Sequence, residues 1–206
     1  QMENNNNSTP YTPGSRSSTQ SLIDLKRTTN IDVSNVSFDS TGQPEFDGSD
    51  DYINVPTSTN LDGFSNVSFE AIINPDNTSS YRRIFDKNYN SAYNFSLNPS
   101  SKPYIYVNGN YAQSTLLADI NQWNHLIVTY NGANAVFYKN GVLIDTVSLN
   151  EGQVGANTTD LRIGSNYDST TSMMNGHIAV AKIFNRVLSA AEVLQNYNVY
   201  KNRFGI

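Results

Sequence analysis

Residues 123–146 constrain the fold most: three apolar, β-branched and aromatic runs separated by turn signals. The run 123–130 stops at Asn131-Gly132, 135–139 stops at Asn140-Gly141, and 142–147 comes next. A two-residue type I′ turn needs positive φ at both central residues, which Asn and Gly adopt at little cost. Asn-Gly between two such runs therefore marks a hairpin. Two hairpins in succession predict three sequential antiparallel strands and place the chain in the all-β class.

The remainder of the 206 residues carries the same signature. Further short runs at 33–38, 52–55, 67–73, 83–86, 94–97, 104–107, 111–114, 161–164 and 177–184 alternate with turn residues at sandwich-like spacing. Pro75, Pro99 and Pro103 fall between runs or at their ends, where no ladder bond is lost. Hydrophobic residues make up 37% and charged residues 15%, with 13 Tyr and 9 Phe. Such a mixture suits half-buried strands and many turns. One helix is predicted, over 189–201. Ser189-Ala190-Ala191-Glu192 has the capping-box pattern, and Ala190, Val193, Leu194 and Tyr197 form a stripe at helical spacing. Lys201 and Arg203 suit the negative end of its dipole.

Charge excludes one large class of partner. The formal net charge is −5, and a nucleic-acid ligand needs a basic footprint. Arg82, Arg83 and Lys87 form the one basic cluster, read here as a solvated hairpin tip. Without cysteine there are no disulfides and no thiolate metal sites. No apolar run reaches spanning length, so membrane insertion is not expected. No secretory signal is legible in Gln1-Met2-Glu3-Asn4, and Gln ahead of Met points to a processed chain or a piece of a longer one. Residues 1–20 are rich in Asn, Ser, Thr and Pro, too poor in apolar groups to offset their ordering entropy. They are expected to form an arm. Pro10, Tyr11 and Pro13 would dock it on another subunit, as a stiff segment with an aromatic anchor.

Three groups of residues invite a functional reading. If Asn108-Gly109 closes a two-residue turn, Tyr106 faces Tyr111 and Tyr104 faces Gln113, so all four share one face. Tyrosines beside an amide suit a sugar, whose C–H faces lie on the rings while polar groups fix its orientation. The competing reading is an aromatic pair that merely stabilises the hairpin. Asp47, Asp50 and Asp51 could offer oxygens to Ca²⁺, but the loop is short for a self-sufficient calcium site. It reads equally as a turn in which Asp side chains accept local N–H groups. Glu45-Phe46-Asp47 is followed by Asp50, with Gly48-Ser49 between. Retaining glycosidases need two carboxyls about 5 Å apart, and Gly48-Ser49 breaks the strand that would hold that spacing. His125 and His177 are expected to be structural, and no nucleophile elbow, zinc-binding helix or phosphate loop is present.

The run Trp123-Asn124-His125 through Thr129-Tyr130, then Tyr138-Lys139-Asn140-Gly141, resembles the laminin-G-like, concanavalin A-like jelly-roll domains. So do the early Phe46-Asp47-Gly48 to Tyr52-Ile53, the late Ile163-Gly164, and the closing Gly176-His177-Ile178 and Ile183 to Glu192. This resemblance implies a two-sheet antiparallel jelly-roll sandwich over 21–206 with one short C-terminal helix. The family often places a metal-binding Asp where Ala179 stands here, so the resemblance implies no required cofactor and little use for Ca²⁺. Similar domains occur in phage structural proteins. The function expected is a non-catalytic virion surface, decoration or host-attachment protein. Its partners would be other virion proteins or its own copies, held through the arm, and cell-surface glycans. The alternative is a carbohydrate-binding module of a secreted, extracellular bacterial protein.

Overall fold

Asn140-Gly141 and Asn108-Gly109 turn the chain as type I′ turns require, with φ of 50° and 79° in the first and 51° and 87° in the second. Lys139 pairs with Val142 across one turn and Val107 with Asn110 across the other. Asn131-Gly132 behaves differently. Only Gly132 has positive φ, and the strands resume pairing at Tyr130 and Ala135. Asn131 Oδ1 accepts the N–H groups of Ala133 (3.1 Å) and Asn134 (2.8 Å), so its side chain builds a wider loop.

The computed structural model describes Asp32, Val33 and residues 36–168 and 171–206. The arm residues Pro10, Tyr11 and Pro13 lie outside them. Strands are numbered along the chain. A seven-stranded sheet runs, in spatial order, β1 (Ser37–Phe38), β2 (Pro44–Asp47), β13 (Asn175–Phe184), β4 (Val67–Pro75), β9 (Asn124–Tyr130), β10 (Asn134–Lys139), β11 (Val142–Ser148). A six-stranded sheet runs β3 (Ile53–Val55), β12 (Leu161–Ile163), β5 (Arg82–Lys87), β6 (Tyr93–Leu97), β7 (Pro103–Val107), β8 (Asn110–Gln113). All these pairings are antiparallel. The all-β jelly-roll sandwich expected from the sequence is the fold. β2 was not anticipated: it is short and opens on Pro44, and its partner β13 lies far along the chain. The run at 33–38 shrinks to β1 and an isolated bridge from Asp32 to Asn54.

The inner faces of the two sheets form one core. Phe69 of β4 sits at its centre, with its ring 5.0 Å from Tyr93, 5.7 Å from Phe85 and 6.4 Å from Phe95. Burying each such ring contributes about 1.5–3 kcal/mol. β4 and β9 are buried on both faces, which erases the period-2 pattern an exposed face would show.

Their outer faces are covered by helix α1 (Ala190–Phe204). Ser189 Oγ accepts from Glu192 N and Glu192 Oε2 accepts from Ser189 N, completing the capping box. Val193 packs with Ile127, Tyr138 and Leu188. Asn196 donates to Glu70 Oε2 at 2.9 Å, and Phe204 lies 4.9 Å from Trp123. The helix therefore outruns the expected end at 201, because its last turn has an aromatic partner. Leu194, expected on the buried stripe, is 48% exposed. Among the described residues, no helix is long and apolar enough to cross a membrane. On the six-stranded sheet the middle strands β5 and β6 are also buried on both faces, and the outer side keeps its exposure at Tyr81, Tyr106, Tyr111 and Gln113.

Candidate functional site

The register of the six-stranded sheet sets out this surface as two rows. Arg162, Asp86, Asn94, Tyr106 and Tyr111 are successive cross-strand partners from β12 to β8. Arg83, Ser96, Tyr104 and Gln113 make the second row. Cross-strand partners share a face. Residues 83 and 86 would normally point to opposite faces of a strand. An irregularity in β5 between Arg83 and Phe85 turns both outward, with Arg83 Nε 3.2 Å from Asp86 Oδ2.

Tyrosines cover this floor. Tyr106 lies 5.4 Å from Tyr111, 5.7 Å from Tyr104 and 5.1 Å from Tyr89. Tyr89 meets Tyr167 at 6.0 Å, and Tyr81 meets Tyr104 edge-on at 5.7 Å. The Arg83 guanidinium lies within 5.1–5.9 Å of the Tyr89, Tyr81 and Tyr104 rings, a desolvated cation–π setting. It also donates to Tyr104 Oη and to Ser96 Oγ (3.2 Å). Arg162 lies 4.3 Å over the ring of Tyr52.

Burial shapes the protonation of these groups. It pushes the Asp86 carboxyl up to about 7, against the pull of Arg83. It also pushes the Tyr104 hydroxyl up to about 12 and raises that of Tyr106. Tyr104 and Tyr106 thus stay neutral hydrogen-bonding groups over the whole physiological range.

The four residues proposed for a sugar share this face, as their spacing required, but they are not equally available. Tyr111 is 59% exposed, Tyr106 and Gln113 are half-buried, and Tyr104 is 3% exposed beneath Tyr81. Gln113 Oε1 accepts from Asn98 Nδ2 at 2.7 Å. The reading of residues 1–206 one run at a time missed Tyr81, Tyr89, Tyr167, Arg83 and Asp86, which complete the patch. The adjacent Tyr81-Arg82-Arg83 was the available signal.

Arg82, Arg83 and Lys87 correct the sequence reading: they are buried, not a solvated tip. Arg82 donates to Asn77 O (2.9 Å) and Met173 O (3.0 Å), tying together two loops beside the face. Lys87 Nζ donates to Thr57 Oγ1 (2.9 Å) and Thr159 O (2.6 Å), with Asp62 Oδ1 at 3.3 Å. Arg82 and Lys87 are buried because separate loops bring them oxygens, and Arg83 because β6 and β7 bring it Ser96 and Tyr104.

The acidic loop lies elsewhere, where β2 meets β13. One carboxylate oxygen from each of Asp47, Asp50 and Asp51 falls within 4.8 Å of the others. These carboxylates serve their own turn: Asp47 Oδ1 accepts from Ser49 N (2.7 Å) and Asp51 Oδ2 from Asp47 N (2.8 Å). Burial raises Asp51 above its ordinary range. Across from Asp47 stands Asn175, donating to its carbonyl at 2.9 Å, while Ala179 sits at the irregularity between Ile178 and Val180. Glu45 is exposed on β2, opposite His177. His125 Nε2 lies 3.1 Å from Glu70 beneath α1, and His177 Nε2 3.6 Å from Asp39.

The family model of the concanavalin A-like lectin/glucanases superfamily matches residues 47–194. Among solved structures, the binding domain of Paraclostridial Mosquitocidal Protein 1 is similar with a TM-score of 0.69, 17% identity, and 86% of this chain and 49% of that one covered. The ligand binding domain of botulinum neurotoxin serotype D, in complex with N-acetylneuraminic acid, gives 0.67, 17%, 85% and 47%. The binding domain of botulinum neurotoxin serotype G gives 0.65, 20%, 84% and 47%. The chain spans about half the length of these structures. No curated protein matches its sequence.

Proposed function

The chain belongs to the concanavalin A-like lectin/glucanases superfamily, and from that premise we propose that it is a non-catalytic glycan-binding module whose ligand face is the tyrosine layer of the six-stranded sheet. The observation that carries this reading is the continuous run of rings from Tyr111 through Tyr106 and Tyr89 to Tyr167, with Tyr81 alongside. Rings of this kind bury the C–H faces of a sugar, and their hydroxyls meet its polar edge. The complex of a similar domain with N-acetylneuraminic acid supports a sugar as the ligand class.

The chemistry of the face supports a non-catalytic role. Asp86 is buried and engaged with Arg83, and no second carboxyl in either row stands opposite it as glycoside hydrolysis requires. For the whole protein, the finer reading is a virion surface or host-attachment role, in which Pro10, Tyr11 and Pro13 hold the module to other virion proteins or to its own copies. Its support is the resemblance of the sequence to domains of phage structural proteins. The alternative setting is extracellular, as part of a secreted bacterial protein.

A glycan array probed with the wild-type chain and with Tyr111→Ala tests the proposal. Capture of a defined oligosaccharide that the variant loses, while it keeps its far-UV spectrum and melting temperature, supports the face. An array without a ligand, or binding indifferent to Tyr111, refutes it.

A further inference from the structure

Resting on that reading of the face, we infer that its glycan carries an anionic group, a carboxylate or a sulfate, which Lys102 receives beside the tyrosines. Lys102 lies in the turn from β6 to β7 and is half-buried. Among the described residues, every other lysine and arginine has an ion pair, a hydrogen bond or a ring as its partner. The Lys102 ammonium has none. The chain has 18 acidic residues against 13 basic ones, so a cation left unanswered is the exception. This one stands at the edge of the ligand face, open to an incoming anion.

The backbone puts it there. Asn98 N donates to Lys102 O at 3.0 Å, extending the β6–β7 ladder one pair beyond Leu97 and Pro103. Side chains alternate along a strand, so Asn98 and Lys102 share the face of Ser96 and Tyr104. They begin a third row beside that of Arg83, Ser96, Tyr104 and Gln113. The turn itself is tied down. Asn98 Oδ1 accepts from Ser100 N (2.9 Å) and Lys102 N (3.0 Å), and Asn98 O accepts from Ser101 N (2.9 Å). Backbone fixed before binding has less entropy to lose on binding.

A second donor is unused close by. Asn98 Nδ2 donates to Gln113 Oε1 at 2.7 Å, which occupies the acceptor end of that amide. Its Nε2 has no acceptor among the described residues. Lys102 and Gln113 therefore flank one Asn98 side chain, each with N–H groups to give. A carboxylate or sulfate only accepts, and several donors around it, one of them charged, are its natural complement. Arg83 cannot take this part, being matched with Asp86 and roofed by three rings. The net charge of −5 is spread over the chain and is screened beyond about 8 Å at physiological salt, whereas an ion pair in contact is screened less. Tyr111 lies two residues from Gln113 along β8, about 7 Å away at about 3.4 Å per residue. That is on the order of one sugar ring. A pyranose stacked on Tyr111, 59% exposed, can thus carry its charged substituent toward Lys102.

The test uses the whole chain and calorimetric titration with matched pairs of oligosaccharides that differ in the charged group: sialyllactose and lactose, oligogalacturonides and their methyl esters, sulfated and unsulfated N-acetyllactosamine. In one pair at least, the acidic member should bind about tenfold or more tighter than its neutral counterpart, and the advantage should shrink as salt rises. Which pair responds separates carboxylate from sulfate, since an ammonium is a point charge that does not choose between them. Lys102→Met should abolish the advantage at unchanged melting temperature, because the ammonium it removes makes no bond within the fold. Tyr111→Ala should weaken both members. Equal binding of acidic and neutral members in every pair, or a preference that survives Lys102→Met, overturns the inference and leaves the face standing where Tyr111→Ala still abolishes binding. No binding to any member, or binding indifferent to Tyr111→Ala, overturns both.

Discussion

Replacing Asp86 by Asn should flatten the pH dependence of stability in a defined window. Burial raises this carboxyl from an ordinary 3.8 to about 7. In the unfolded chain it ionises at its ordinary value, whereas the folded chain retains the proton until near neutrality. Between these values the folded state binds more protons, so stability falls as pH rises and levels off above the folded value. At about 1.4 kcal/mol per pH unit, the loss is on the order of 4 kcal/mol from about pH 4 to about pH 7. The Asn variant lacks the titration and should show none of that loss, whatever its absolute stability beside Arg83. Urea unfolding of both proteins at closely spaced pH values gives the difference directly. Parallel curves would refute the reasoning, by showing that Arg83 and the surrounding amides keep Asp86 ionised and that burial is not the dominant influence.

Phe69→Ala should cost about 3–5 kcal/mol, because its ring is the hub of the inter-sheet aromatic cluster; chemical denaturation reads it, and a loss below about 1 kcal/mol would contradict the packing. Gly155→Ala should destabilise by about 1–3 kcal/mol, since a Cβ there would stand 2.0 Å from the backbone oxygen of Ser91; an unchanged denaturation midpoint would show that this loop yields freely. Millimolar Ca²⁺ should leave the melting temperature unchanged, because the Asp47 and Asp51 carboxylates are occupied by their own turn. A rise of several degrees, reversed by chelator, would place a cation on the acidic loop.

Local chemistry was legible in the sequence; contacts made across the fold were not. Asn108-Gly109 and Asn140-Gly141 set their own registers, and Ser189 with Glu192 set the start of α1, because each signal acts over a few residues. Asn131-Gly132 carried the same dipeptide, yet Asn131 spent its side chain on the backbone of Ala133 and Asn134. The shared face of Tyr104, Tyr106, Tyr111 and Gln113 followed from alternation alone. The burial of Tyr104 did not, since Tyr81 arrives from another loop. Arg82, Arg83 and Lys87 were misread for the same reason: their oxygens come from Met173, Tyr104 and Thr159, up to 91 residues away. The irregularity that turns Arg83 and Asp86 to one side leaves no trace in a hydrophobicity pattern.

The placement of α1 limits what a single copy can achieve. A sandwich with both outer faces open could grip ligands on two sides, whereas this one covers one face with its own helix. On the proposed reading each copy would be monovalent, and stacking on exposed tyrosines would give modest intrinsic affinity. Firm attachment to a glycan-coated surface would come from displaying many copies together, where local concentration multiplies weak contacts into avidity. For such an array, spacing and orientation between copies would govern the strength of attachment more than any one side chain on the face.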